Sequence, residues 1–210
     1  LVRLGDLSYI AGALLEPLAC CLHGIKQLGV VPGDNVVVFG SGPIGLMLAQ
    51  LARNGGAATV TVVDPVPEKL AVAAELGMDH ALAPAGFQAQ RASLAPGGFH
   101  LAIDATGVAA VAESLFGVVR DRGRVLFFGV CPQQARISVS PYDVYKRELK
   151  VAGTFSLFGE MDAAVRLARS GRVELGKLVS ERLPLSAFQA ALTRKSRGGT
   201  ELKTVLEPGA

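Results

Sequence analysis

Tryptophan is absent from these 210 residues, and aromatic residues make up only 6% of them. No basic run is interleaved with aromatics and the formal net charge is only +3, so a nucleic-acid partner is not expected. The cluster Arg194-Lys195-Ser196-Arg197 reads as a solvated helix end. Cysteine is scarce: Cys20, Cys21 and Cys131 contain no C-x-x-C pair of the kind a structural zinc site uses. Adjacent cysteines seldom bridge one another, and reduced thiols fit a cytoplasmic location. Also missing is any apolar run near the ~18 residues of a membrane span. The longest candidate, Ile10 to Leu22, is broken by Glu16 and Pro17 and lacks a basic leader and a small-residue cleavage site, so neither a membrane partner nor a leader is expected.

What remains is a hydrophobic chain: half its residues are apolar and its mean hydropathy is +0.39. The length fits one full domain plus a smaller piece. Its organising stretch is Asn35 to Gly55. Val36-Val37-Val38-Phe39, bounded by Gly33-Asp34 and Gly40, reads as a strand buried on both faces. After Gly45 the apolar period becomes helical through Ile44, Leu48, Leu51 and Ala52, with Pro43 where a first turn tolerates it and Gly55-Gly56 as the stop. The turn between spells G-x-G-x-x-G at Gly40, Gly42 and Gly45. The first glycine permits the sharp turn, the second lets backbone approach a pyrophosphate, and the third allows close packing of helix on strand. Helix N–H groups and dipole then face an anion. Any α/β protein can contain such a turn. Here a second apolar run, Thr59 to Val63, follows and ends in Asp64, placed where an acid meets adenosine ribose hydroxyls.

Strands and helices alternate onward. Helices are expected over Pro67–Leu76, Gln88–Leu94 and Val108–Val119, and strands over Asp79–Leu82, Phe99–Asp104, Arg124–Gly129 and Leu149–Phe155. Six such strands give an α/β fold with a doubly wound parallel sheet in the order 3-2-1-4-5-6 and a ligand across its carboxyl ends. That rule sets Gly40 to Gly45, Asp64, Ala105-Thr106, Phe128-Gly129-Val130 and Thr154-Phe155-Ser156 along one crevice. Before the sheet, Ala11 to Leu28 reads as a helix that Pro17 kinks or restarts. Glu16 in it has the plain reading of a helix-start acid near the positive dipole end. After the sheet come helices Met161–Arg169 and Ala187–Arg194, strands Leu178–Leu183 and Leu202–Leu206, and a cap at Pro184-Leu185-Ser186. These cannot close a large core alone and should pack on another domain. The expected division is a lead-in helix over 1–27, a dinucleotide-binding domain over 28–156, and a small α+β piece over 157–210.

The chain resembles the zinc-dependent medium-chain alcohol and polyol dehydrogenases along nearly its whole length. The resemblance rests on Leu15-Glu16-Pro17-Leu18-Ala19, Gly40-Ser41-Gly42-Pro43-Ile44-Gly45, Val63-Asp64, Asp104-Ala105-Thr106-Gly107 and Leu185-Ser186-Ala187-Phe188-Gln189-Ala190-Ala191. The glutamate before Pro-Leu is most similar to the sorbitol and threonine dehydrogenase branch. It implies a metal role for Glu16 in a catalytic zinc site, where Zn²⁺ acidifies a substrate alcohol and hydride passes to a nicotinamide ring. It implies NAD and zinc as cofactors of the complete enzyme, a small alcohol or polyol as substrate, and a homodimer or homotetramer through the fifth and sixth strands and the Pro132–Val144 loop. Cofactor contacts carried over are Gly40, Gly42, Pro43, Ile44, Gly45, Asp64, Lys69, Ala105, Thr106, Phe128, Gly129, Val130, Thr154, Phe155 and Ser156. Asp64, with no following arginine, favours NAD over NADP; Lys69 reaches the same ribose, or is simply an exposed helix charge. Cys20 and His23 share the helical face of Glu16 at i+4 and i+7, but the family does not use those positions as ligands, and packing is the expected role.

The family's first half, with its zinc-binding Cys and His-Glu pair, is not among these residues. The chain therefore resembles a truncated enzyme or an isolated domain, expected to be inactive alone. A second reading is a dinucleotide-binding module without catalysis. A third, an S-adenosylmethionine methyltransferase, shares the glycine turn and strand-end acid but leaves Glu16-Pro17 and the tail after Phe155 unexplained.

Overall fold

The computed structural model describes residues 2–193 and 199–208. Arg194 to Arg197 therefore lie outside the described residues, as does the end of the helix expected to reach Arg194. Six parallel strands form one sheet in the order β3-β2-β1-β4-β5-β6, as the alternation predicts: β1 (Asn35–Phe39), β2 (Thr59–Val63), β3 (His80–Leu82), β4 (Phe99–Asp104), β5 (Val119–Phe127) and β6 (Lys150–Gly153). The continuous apolar run of β1 is explained by burial on both faces. Val36 and Val38 join one core with Leu46, Leu48 and Leu101, while Val37 and Phe39 join another with Phe87, Phe99 and Leu115. Each such fully buried side chain contributes about 1.5–3 kcal/mol relative to exposure.

Two helices precede the sheet, α1 (Tyr9–Ala13) and α2 (Leu15–Leu28). The expected break thus falls at Leu14, and Pro17 sits in the first turn of α2, where no intrahelical donor is lost. Crossovers are α3 (Pro43–Asn54), α4 (Pro67–Glu75), α5 (Pro84–Leu94), α6 (Ala109–Ser114) and α7 (Pro141–Lys146). Helix α5 starts four residues before the expected Gln88 because Pro84 occupies a first-turn position after the extended Ala83. Helix α6 ends early in a 3-10 turn over Leu115–Gly117, and β5 begins at Val119 rather than Arg124. Residues 120–123, left unassigned between the expected helix and strand, form an irregularity in β5: Phe99 pairs with Val119, and Leu101 already with Arg124. Helix α7 lies where only a loop was expected; Ser140 accepts the Asp143 N–H and Pro141 opens the helix.

The tail contributes α8 (Met161–Arg169), β7 (Val179–Pro184), α9 (Phe188–Thr193) and β8 (Lys203–Glu207). Strands β7 and β8 pair parallel as a separate two-stranded sheet. Ala164, Val165, Val173, Leu175 and Leu178 bury themselves in the same core as α2 and α3. Arg124 fastens the lead-in to the sheet: its guanidinium donates to the Leu28 and Gly29 carbonyls that end α2 and lies 2.5 Å from the Asp34 carboxylate.

Candidate functional site

Strand β1 delivers the glycine turn to the carboxyl rim of the sheet. Gly40 has φ of +102°, a conformation side chains rarely adopt, and its N–H donates to the Val63 carbonyl at 2.8 Å. A Cβ on Gly45 would lie 1.8 Å from the Gly40 oxygen, so the helix can rest on the turn only because that residue has none. Gly42 is the opposite case: a Cβ there would meet nothing within 4 Å and would project into open space. No side chain caps α3, so its first-turn N–H groups are available to an anion.

Asp64 ends β2 and is buried. Its carboxylate is fastened to the turn: Oδ2 accepts the Ser41 N–H at 2.7 Å and Oδ1 the Val66 N–H at 2.9 Å. Each oxygen keeps further acceptor capacity. Beside it opens an apolar cleft of about 230 Å³ walled by Phe39, Val63, Pro65, Phe87 and Val111. Lys69, in the first turn of α4, has no ion-pair partner among the described residues.

Across the crevice, fully buried Asp104 organises two further segments. Its Oδ1 accepts from the Thr106 N–H at 2.8 Å and the Thr106 hydroxyl at 2.6 Å, and its Oδ2 from the Gly107 N–H at 3.3 Å. Its backbone oxygen accepts from Phe128 and Gly129 at 3.0 and 2.8 Å. A Cβ built on Gly40 would touch Ala105 and Thr106, so the two turns are in contact. Phe128 and Thr154 adjoin Gly24 of α2. Val130, Phe155 and Ser156 are exposed, Ser156 with φ of +59°. The Ser41 and Thr154 hydroxyls are buried without a partner among the described residues. Open space at Gly42, uncapped amides and these spare hydroxyls fit a dinucleotide laid across the rim.

Glu16 lies apart from this network, exposed in the first turn of α2. The Cys20 thiol donates to its Oε1 at 3.2 Å, and burial, followed by that carboxylate, pushes the thiol up to about 11. His23 turns elsewhere: its Nδ1 is 3.3 Å from Oε1 of Glu160, which also lies 3.4 Å from the Lys26 ammonium. No three His, Cys, Asp or Glu side chains are grouped to hold a metal among the described residues. A zinc ion needs at least three protein donors, so these residues alone do not fit one.

The cleft beside Asp64 is not legible in the sequence, because Phe87 and Val111, which wall it, come from separate elements 24 positions apart and carry no local signal. The turn-forming role of Asp104 was visible in principle, since an Asp at the start of Asp104-Ala105-Thr106-Gly107 commonly folds its carboxylate onto the amides two and three residues on.

Fold and site together define a Rossmann-type α/β protein, with glycine turn and strand-end acid meeting at the switch point of the sheet. Residues 43–170 match the family described as zinc-binding dehydrogenase, and the chain belongs to that family. It is 39% identical over 206 residues to D-altritol 5-dehydrogenase of Agrobacterium fabrum, covering 95% of this chain and 60% of that protein. Against sorbitol dehydrogenase of Gallus gallus it is 31% identical, covering 97% and 58%. A zinc-binding dehydrogenase of Sinorhizobium meliloti 1021, solved with NADP bound, superposes with a TM-score of 0.91 at 32% identity, over 97% of this chain and 61% of that one. The chain thus spans about 60% of the length of these relatives.

Proposed function

We propose that this chain is the NAD-binding portion of a zinc-dependent dehydrogenase that oxidises a secondary alcohol or polyol by hydride transfer to NAD. The observation that carries the reading is the bond between the Ser41 amide and Asp64, which joins a glycine turn open at Gly42 to an acid at the ribose position. Gly40, Gly42, Pro43, Ile44 and Gly45 would receive the pyrophosphate and support the nicotinamide, and Asp64 and Lys69 the ribose. Ala105, Thr106, Phe128, Gly129, Val130, Thr154, Phe155 and Ser156 would line the nicotinamide side. The apolar cleft at Phe87 and Val111 has the character of a base slot. Bound NAD supplies the hydride acceptor; the protein's part is to orient it and exclude water from its face.

Zinc belongs to the complete enzyme, with Glu16 as one donor and the others supplied by residues outside this chain. On that basis the 210 residues alone are inactive, and a non-catalytic dinucleotide-binding module is the second reading. It is favoured by the sparse donor set around Glu16. The division into 1–27, 28–156 and 157–210 belongs to this proposal, as do a cytoplasmic location and a homodimer or homotetramer through the sheet edge formed by β5, β6 and the Pro132–Val144 loop. Among the described residues no helix is long and apolar enough to cross a membrane.

The preference for NAD follows from charge. A 2′-phosphate about 4 Å from the Asp64 carboxylate would cost about 4 kcal/mol at an effective dielectric of about 20. Calorimetric titration of the chain with NAD⁺ and NADP⁺, repeated on Asp64→Ala, tests this. We expect NAD⁺ to bind more tightly and the ratio of the two affinities to fall at least tenfold in the variant. Because Asp64 also holds the Ser41 and Val66 amides, equal loss of both ligands would mean that it builds the turn without selecting the ribose.

A further inference from the structure

The opposite rim of the sheet, at the amino ends of β4 and β5, carries a cluster that the dinucleotide reading does not use. Two clefts of about 420 and 270 Å³ adjoin there, sharing Gly97, Gly98 and Val119. Arg120, Arg147 and His100 line the larger and Arg91 the smaller. The charges do not balance. Arg147 pairs with Asp121 at 3.0 Å, and nearby Arg124 with Asp34. Arg91 donates only to the Gly117 carbonyl, and Arg120 reaches the Asp121 carbonyl through Nε at 3.2 Å; neither has a carboxylate partner among the described residues. Two guanidinium charges are left uncompensated.

His100 sharpens the imbalance. Its Nδ1 faces the Asn35 N–H at 3.0 Å, and its Nε2 faces the Arg120 Nη1 at 3.0 Å. Burial, then the Arg120 charge, hold its pKa below the usual value, so the ring is neutral at neutral pH. A neutral imidazole accepts at one nitrogen only. With Nδ1 taking the backbone N–H, Nε2 carries the proton, and two N–H donors converge at 3.0 Å with no acceptor between them. Such an arrangement is costly unless an acceptor bridges both groups.

We infer that this rim is a binding site for an anion of the phosphate class, bridging His100 Nε2–H and the Arg120 guanidinium, with the rest of a phosphorylated small molecule lying along the clefts toward Arg91. A tetrahedral oxyanion offers acceptors in several directions, which suits an imidazole and a guanidinium approaching from different elements, and charge-assisted bonds to arginine are the strong ones. The site is independent of the glycine turn, which follows the carboxyl end of β1, the strand paired parallel with β4, on the opposite rim.

The chain has only three histidines, His23, His80 and His100, so their ring proton signals can be separated by NMR and His100 assigned with His100→Asn. Inorganic phosphate is titrated near neutral pH, with sodium chloride matching the ionic strength in a parallel series. We expect a saturable shift of the His100 signal alone, with Arg120→Ala weakening the apparent affinity about tenfold or more. Arg120→Lys, which keeps the charge but loses the fork, should fall between. Arg120 is exposed, so its removal leaves the fold in place. Absence of a saturable His100 shift up to about 50 mM phosphate would overturn the inference, as would the same shift in Arg120→Ala.

Discussion

Two acids stand out in this chain, Asp64 and Glu16, and their surroundings differ completely. Asp64 is buried, with both carboxylate oxygens engaged by backbone amides and the glycine turn built around it. Glu16 is exposed and, among the described residues, engaged only by a neighbouring thiol. A site whose parts come from one chain is tied together by internal hydrogen bonds before any ligand arrives. A site completed from elsewhere leaves its donor standing free at the edge. On the proposed reading the nucleotide crevice is of the first kind and the position of Glu16 of the second.

The largest effect should come from within the tied network. Gly45→Ala sets a methyl 1.8 Å from the Gly40 oxygen, a backbone atom that cannot swing aside, and should destabilise the fold by about 3 kcal/mol or more while abolishing NAD⁺ binding. Gly42→Ala meets nothing within 4 Å, so its melting temperature should stay near that of the parent while NAD⁺ binding is lost. If both variants lost stability alike, the space at Gly42 would not be ligand space. Thermal unfolding with calorimetry on each variant reads the difference.

A smaller effect separates the two ligands. NAD⁺ at a hundredfold excess over its dissociation constant should stabilise the chain by about 2.7 kcal/mol, roughly 5–10 °C in melting temperature. Zinc at micromolar concentration should leave the melting temperature unmoved, because no three donors are grouped to receive it among the described residues. A zinc-induced rise that Glu16→Gln removes would show the chain to hold its metal unaided and would erase the contrast.

How much of this could be read from residues alone follows the same division. The strand order, the glycine turn and Asp64 were legible because apolar period, glycine spacing and a strand-end acid are local signals, and the sheet orders them by general rules. Strand β5 begins earlier than the expected Arg124 because Arg120, Asp121, Arg122 and Gly123 interrupt the apolar run, whereas pairing with β4 draws Val119 into the sheet and absorbs the charges as a bulge. Helix α7 was missed although Ser140 and Pro141 spell a helix start. Along α2, helical spacing put Cys20 and His23 on one face with Glu16. Burial of Glu160 from the distant start of α8 turned His23 away, and no local pattern could have announced a partner 137 residues on.

The smallest expected effect falls on Glu16 itself, and for that reason tests the comparison most directly. Glu16→Gln preserves shape and removes one exposed charge from the first turn of α2, so stability should change by no more than about 0.5 kcal/mol. The affinity for NAD⁺ should stay within about twofold, since hydrogen bonds of the crevice run through Asp64, Asp104 and the turn amides and none reaches Glu16. In an assembled dehydrogenase the same substitution should remove most of the activity, because a carboxylate missing from a three- or four-donor metal site cannot be replaced by a neutral amide of equal size. A tenfold loss of NAD⁺ affinity in the 210-residue chain would instead place Glu16 inside the nucleotide network and make the two acids members of one site.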